Sequence, residues 1–180
     1  MNRSRAARTA MFVLAVAALG CQESRPVNPN APTLFFPSIQ GVWAGPLTLV
    51  GVSGGECVGA VVPSFLPTDD FGTATVIQSG SDLQATLTME GTGLACKYTG
   101  TNTGVNIAMN ATSCDRTGLI VQCVGAAREL QLVGSSVIGS WVGNQMTGVT
   151  TSTYNVFTTG DSRTGVGSLI ATHSFAASRR

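Results

Sequence analysis

The sequence predicts an all-β protein, folded as a single antiparallel up-and-down barrel, with a β-sandwich as the alternative. Three observations carry this. Runs of Val, Leu, Ile and Thr alternate with a period of two between about 39 and 175, turn-forming Gly, Ser, Asn and Asp separate them, and helical periodicity is almost absent. Strands are expected near 39–52, 57–62, 71–79, 82–90, 94–100, 104–111, 119–124, 128–133, 137–143, 147–157 and 165–175. Within 83–90, Leu83, Ala85, Leu87 and Met89 share one face, and Gln84, Thr86, Thr88 and Glu90 share the other. Val105, Ile107 and Met109 stand in the same way against Asn106, Ala108 and Asn110, as do Leu47 and Leu49 beside Thr48. One dry and one wet face is the pattern of an antiparallel sheet.

Hairpin connections are expected at Ser53-Gly54-Gly55, Ser79-Gly80-Ser81-Asp82, Gly91-Thr92-Gly93, 100–104, Asp115-Arg116-Thr117-Gly118, Gly134-Ser135-Ser136 and 160–163. The segment 63–70, with Pro63, Pro67 and the pair Asp69-Asp70, reads as a solvated loop crossing an end of the sheet. Eight to eleven strands with tight turns and no crossover helices favour a meander that curls on itself, because closure removes exposed edges. Alternation alone does not separate that barrel from two stacked sheets. A barrel spanning a membrane would need an apolar outer face with aromatic girdles. Here the alternate face is Thr, Gln, Asn and Ser, and aromatic residues make up 6% of the chain.

Composition narrows the function classes. The 180 residues are 43% hydrophobic and 11% charged, with a formal net charge of +1, as expected of one folded domain rather than a disordered chain. Once Arg3, Arg5 and Arg8 are set aside, too few basic residues remain to track phosphates, so no nucleic-acid partner is expected.

Those arginines open an export signal. A basic start is followed by the apolar stretch 10–19 and then Gly20-Cys21, too short for a retained transmembrane helix. Ala18-Leu19-Gly20-Cys21 resembles the lipobox of bacterial lipoproteins, with Ala18 where leucine is commoner. The resemblance implies removal of residues 1–20, an acyl anchor on Cys21 and a tether over 21–37, whose prolines Pro26, Pro29 and Pro32 prevent packing. Gln22 after the cysteine implies passage to the outer membrane of the cell envelope. The membrane is thus an expected partner, and the all-β domain occupies 38–180.

Four of the five cysteines remain after Cys21: Cys57, Cys96, Cys114 and Cys123. An even number in an exported chain predicts two disulfides, with three connectivities open. Strand pairing about Asp115-Arg116-Thr117-Gly118 would set Cys114 beside Leu119 rather than Cys123. Their wide spacing and the absence of C-x-x-C disfavour a metal site.

The two tryptophans stand in repeated G-x-W-x-G frames, Gly41-Val42-Trp43-Ala44-Gly45 and Gly139-Ser140-Trp141-Val142-Gly143. Flanking glycines are expected where an indole ring covers neighbouring backbone. The first copy resembles the first strand of the calycin barrels, the lipocalins and avidins. The resemblance implies a Trp43 that closes one barrel end and, as in lipocalins, packs under an arginine; Arg163, just before the last strand, is the candidate. No T-D-Y-x-x-Y segment and no C-terminal helix accompany it.

Catalytic groups are sparse. The single histidine, His173, shares a face with Leu169, Ala171 and Phe175 and should turn inward as a hydrogen-bonded residue. A serine triad would need a nucleophile on a strained strand-to-helix elbow, and no such helix is predicted. Asp69 and Asp70 are adjacent and point apart in extended chain, a poor pair for glycoside chemistry. No enzyme activity, cofactor or metal is therefore expected. The expectation is a binding protein: either a barrel holding a small hydrophobic ligand among Trp43, Leu83, Leu87, Ile107, Met109 and Trp141, or a filled barrel whose Thr-rich outside meets another envelope protein.

Overall fold

The computed structural model describes residues 37–55, 57, 69–91, 93–115, 118–123 and 125–180. The export signal, Cys21 and the tether up to residue 36 lie outside them, as do 58–62 of the strand expected at 57–62 and residues 63–68 of the expected loop. The described residues form nine strands: β1 Gly41–Gly54, β2 Asp69–Ser79, β3 Asp82–Met89, β4 Ala95–Asn102, β5 Asn106–Cys114, β6 Gly118–Cys123, β7 Ala126–Val142, β8 Gln145–Thr158 and β9 Gly165–Arg179. No helix occurs among them.

All the strands belong to one sheet, ordered β5-β4-β3-β2-β1-β9-β8-β7-β6, and β5 also pairs with β7. That last pairing, from Asn106 opposite Ser140 to Asn110 opposite Ser136, closes eight antiparallel strands into an up-and-down barrel and sets the sandwich aside. β6 is the extra strand. It runs along β7 from Gly118 opposite Gln131 to Cys123 opposite Ala126, so β5 and β6 lie one after the other along the same edge of β7.

Two expected hairpins are corrected. Asp115-Arg116-Thr117-Gly118 does not fold β6 back on β5, because both strands take hydrogen bonds from β7 instead. Gly134-Ser135-Ser136 is not a turn: β7 continues for 17 residues, and a bulge between Leu132 and Gly134 absorbs the irregularity. The ladder to β8 persists on both sides of it and outweighs the local turn preference. The expected two-residue turn does form at Gly80-Ser81, and a second forms at Gly143-Asn144. Each opens with a glycine at positive φ, +61° and +59°, the arrangement that suits the twist of a hairpin.

The pleat sorts side chains as the alternation predicts: Leu83, Ala85 and Met89 are buried and Gln84, Thr86 and Thr88 exposed. Val105 departs from this, since it precedes β5 and is exposed. The interior divides into two apolar clusters. The larger fills the barrel proper and includes Ile39, Trp43, Leu83, Tyr98, Ile107 and Trp141. The smaller, with Val121, Leu130, Val156 and Leu169, lies where β1, β9, β8 and β7 run past the ends of β2–β5.

Two disulfides form, Cys57–Cys123 and Cys96–Cys114. The first ties the chain just beyond β1 to β6, the two edges of the five-stranded extension β6-β7-β8-β9-β1. The second crosses the β4–β5 pair, where Cys96 faces Cys114 in register.

Candidate functional site

One end of the barrel is sealed by residues 37–39, the segment that leads into β1. Four strands hold this plug. Trp43 Nε1 on β1 donates to the Ile39 carbonyl at 2.7 Å, and Gln78 Oε1 on β2 accepts from Ile39 N at 2.9 Å. Asn102 Nδ2 on β4 donates to the Pro37 carbonyl at 3.1 Å, and Arg179 Nη2 on β9 to the Ser38 carbonyl at 2.7 Å. Arg179 is the register partner of Trp43 and lies over its ring, 4.8 Å from the centroid. The arginine expected over Trp43 is therefore Arg179, which corrects Arg163. Arg163 instead stacks on Phe157 at 3.9 Å and pairs with Glu129 at 2.9 Å. It precedes β9 and sits near the far end of β8, whereas Arg179 is in inward phase with His173 and Phe175.

The glycines of the two tryptophan frames answer to different causes. A Cβ on Gly45 would fall on the Ala176 carbonyl, and one on Gly139 would reach the Thr147 carbonyl at 2.7 Å. Gly143 serves its turn, and Gly41 has a φ of +140° under the Arg179 side chain. Close approach of a neighbouring strand, rather than an indole lying over the glycines, requires Gly45 and Gly139.

Above the plug a cavity of about 60 Å³ opens inside the barrel. A single water needs roughly 10–15 Å³ on this scale, so the space holds several waters or a short alkyl group. Its wall includes Trp43, Leu47, Leu87, Met109, Met146 and Phe175. Of the residues singled out from the sequence, Trp43, Leu87 and Met109 line it. Leu83, Ile107 and Trp141 belong to the same apolar cluster and do not line it.

A polar band lies between this cavity and the smaller apolar cluster. Tyr98 Oη donates to Ser135 Oγ at 2.9 Å, Ser135 Oγ and Ser152 Oγ are 3.1 Å apart, and Tyr154 bonds Ser152. Burial pushes both phenols above the usual tyrosine value; hydrogen bonds to Ser135 and Thr150 partly offset this for Tyr98. His173 turns inward as expected, across from Thr150 on β8, and is 3% exposed. Burial pulls its pKa below the usual histidine value, and the nearby Asp70 carboxylate opposes that. Asp70 is a correction: rather than standing in a solvated loop it is the second residue of β2 and 7% exposed, while Asp69 is exposed. Asp70 Oδ1 accepts from Phe71 N at 2.7 Å and Gly91 N at 2.6 Å. Its Oδ2 and the His173 Nε2 are buried without a hydrogen-bond partner, so the hydrogen bond expected of the inward histidine is not made at Nε2.

Sequence reasoning missed Tyr98, Asp70 and Ser135 as interior groups and the half-buried Arg179 as the cover of the plug. The signal was phase: Tyr98 is two residues from Cys96, Asp70 two from Gly72, and Arg179 four from Phe175. Gly51-Val52-Ser53-Gly54-Gly55 has the G-x-S-x-G spacing of a nucleophile elbow. Ser53 is exposed on β1, opposite Ile170 of β9, and His173 faces the interior, so the two cannot form a triad.

The fold and the site together define a small closed β-barrel with one plugged end and an apolar cavity, an architecture consistent with a lipocalin-like fold. No protein-family model, no curated protein and no solved structure matches the chain.

Proposed function

We propose that this barrel binds a small, largely apolar ligand, and that a lipid on Cys21 holds it at the cell envelope, at the outer membrane. The interior cavity carries the reading. A barrel of this size is able to fill its inside with side chains, yet Ala74, Ala85 and Ala177 stand in the wall where longer side chains would close the space beside Trp43 and Met109. Small residues at inward positions of adjacent strands are how a barrel makes room.

The test is native mass spectrometry of residues 22–180, exported so that both disulfides form, with solvent extraction of bound material. An extractable small molecule whose removal changes Trp43 fluorescence is the expected result. A bare protein mass, unaltered by fatty acids, sterols and alkylamines, would end the carrier reading. The anchor has its own test: Cys21→Ser should abolish acyl labelling and release the protein from membranes.

A second reading, a contact surface for another envelope protein, is favoured by the outside of β7 and β8. Ile138 is 61% exposed beside its register partner Val149, and Val142 at the nearby turn is 77% exposed.

A further inference from the structure

The polar band holds two groups that the barrel itself leaves unmet. Asp70 Oδ2 and His173 Nε2 are buried side-chain atoms with no hydrogen-bond partner, on residues more than nine-tenths buried. Native interiors rarely leave such atoms unpaired, because losing water without gaining a partner is costly.

Neither residue lines the cavity itself, and each stands one inward position beyond its wall. The next inward residue on β2 after Asp70 is Gly72, and the next on β9 after His173 is Phe175; both line the cavity. Thr150, the register partner of His173, and Leu47, the register partner of Asp70, line it too. Below these positions the wall is apolar.

The chemistry of the two atoms restricts what can meet them. A carboxylate oxygen only accepts hydrogen bonds. The Nε2 of a neutral imidazole accepts in the tautomer that carries its proton on Nδ1. In that tautomer the two unmet atoms next to the cavity wall are both acceptors and call for a donor, and a head with several N–H groups serves both. An acceptor-only head such as a carboxylate would set its oxygens against Asp70.

We infer that the ligand is amphipathic, with its apolar tail in the cavity and a hydrogen-bond-donating head, best a primary amine, seated at Asp70 Oδ2 and His173 Nε2. This rests on the carrier reading and specifies the ligand class within it. The Tyr98, Ser135 and Ser152 hydroxyls bond one another and leave the head to the two unmet acceptors.

The experiment compares probes with one short tail, using tryptophan fluorescence and calorimetry on residues 22–180: butylamine, 1-butanol, butanoate and butyltrimethylammonium. Butylamine should bind about tenfold or more tightly than butanoate, with butanol between them. Butyltrimethylammonium has the charge without an N–H donor and should also bind about tenfold more weakly than butylamine. Asp70→Asn keeps an oxygen for Phe71 N and Gly91 N, so it should fold and reduce the preference for the amine to about threefold or less. His173→Leu removes the second acceptor and should weaken both butylamine and butanol.

Butanoate or butyltrimethylammonium binding as well as butylamine would overturn the donor seat while leaving the carrier reading intact. Selectivity unchanged in both variants would do the same. If Asp70→Asn fails to fold, the wild-type ranking and His173→Leu decide. Failure of all four probes to bind would take down the carrier reading and the head seat together.

Discussion

Arg179 shows how a single side chain near the end of the chain seals the fold. Its guanidinium lies over Trp43 and donates to the Ser38 carbonyl, joining the last strand to the first and to the plug. Arg179→Met keeps the length and apolar stem and should lower stability by about 1–2 kcal/mol in urea unfolding, from the lost hydrogen bond and ring contact. His173 gives a pH dependence with a definite sign. Its pKa is lowered on folding, so the unfolded chain takes up a proton more readily than the folded one as pH falls below the ordinary value of 6.5. Stability should therefore be full above that pH and decline below it, and His173→Gln should flatten this acid limb in denaturation curves collected between pH 7 and 5. Tyr98 and Tyr154 act at the other limit. Their raised values keep them protonated in the barrel, so stability should fall as pH climbs past the ordinary 10.0, less steeply in Tyr98→Phe.

Among the elements, the longest strands decide the shape. β7 serves two partners along one edge, β6 with its first part and β5 with its last, and this builds a second storey on one side of the barrel. Among the described residues the storey has unpaired edges at β6 and at the end of β1, and Cys57–Cys123 ties them across a closed loop of 66 residues. Cys96–Cys114 closes only 18 residues, between strands that already pair. The loop-entropy relation then assigns about 4 kcal/mol to the first and about 3 kcal/mol to the second. Replacing each pair by alanines and comparing thermal melts should show the larger loss for Cys57 and Cys123, together with exposure of the cluster around Leu130 and Leu169. Strand crossings also set limits. Gly139 and Gly148 face each other across β7 and β8, and the Phe175 ring approaches both, so Gly148→Ala should cost more than about 2 kcal/mol in the same melts.

At the scale of the molecule, the barrel is layered along its axis: a hydrogen-bonded plug, an apolar cavity, a polar band, and a disulfide-closed apolar cap on the β6–β9 side. The layering makes the cavity and the stability of the fold separable. Ala74→Leu adds apolar volume at the cavity wall and should leave the melting temperature unchanged or raised, while abolishing butylamine binding by calorimetry. Binding that survives this substitution would move the ligand out of the barrel.

The sequence by itself determined the strand content, the inward and outward faces and the number of disulfides. The pleat ties side-chain direction to position parity, as in Leu83, Ala85 and Met89, and the four cysteines of the all-β domain pair as two bridges. Even His173 was legible from its phase with Leu169 and Ala171. The tertiary structure alone decided closure through β5 and β7, the pairing of Cys57 with Cys123, the choice of Arg179 over Arg163 and the inward place of Asp70. Each of these depends on register between strands far apart in the chain. Local alternation says which way a residue points, and only the accumulated register and shear of the closed sheet say what it meets.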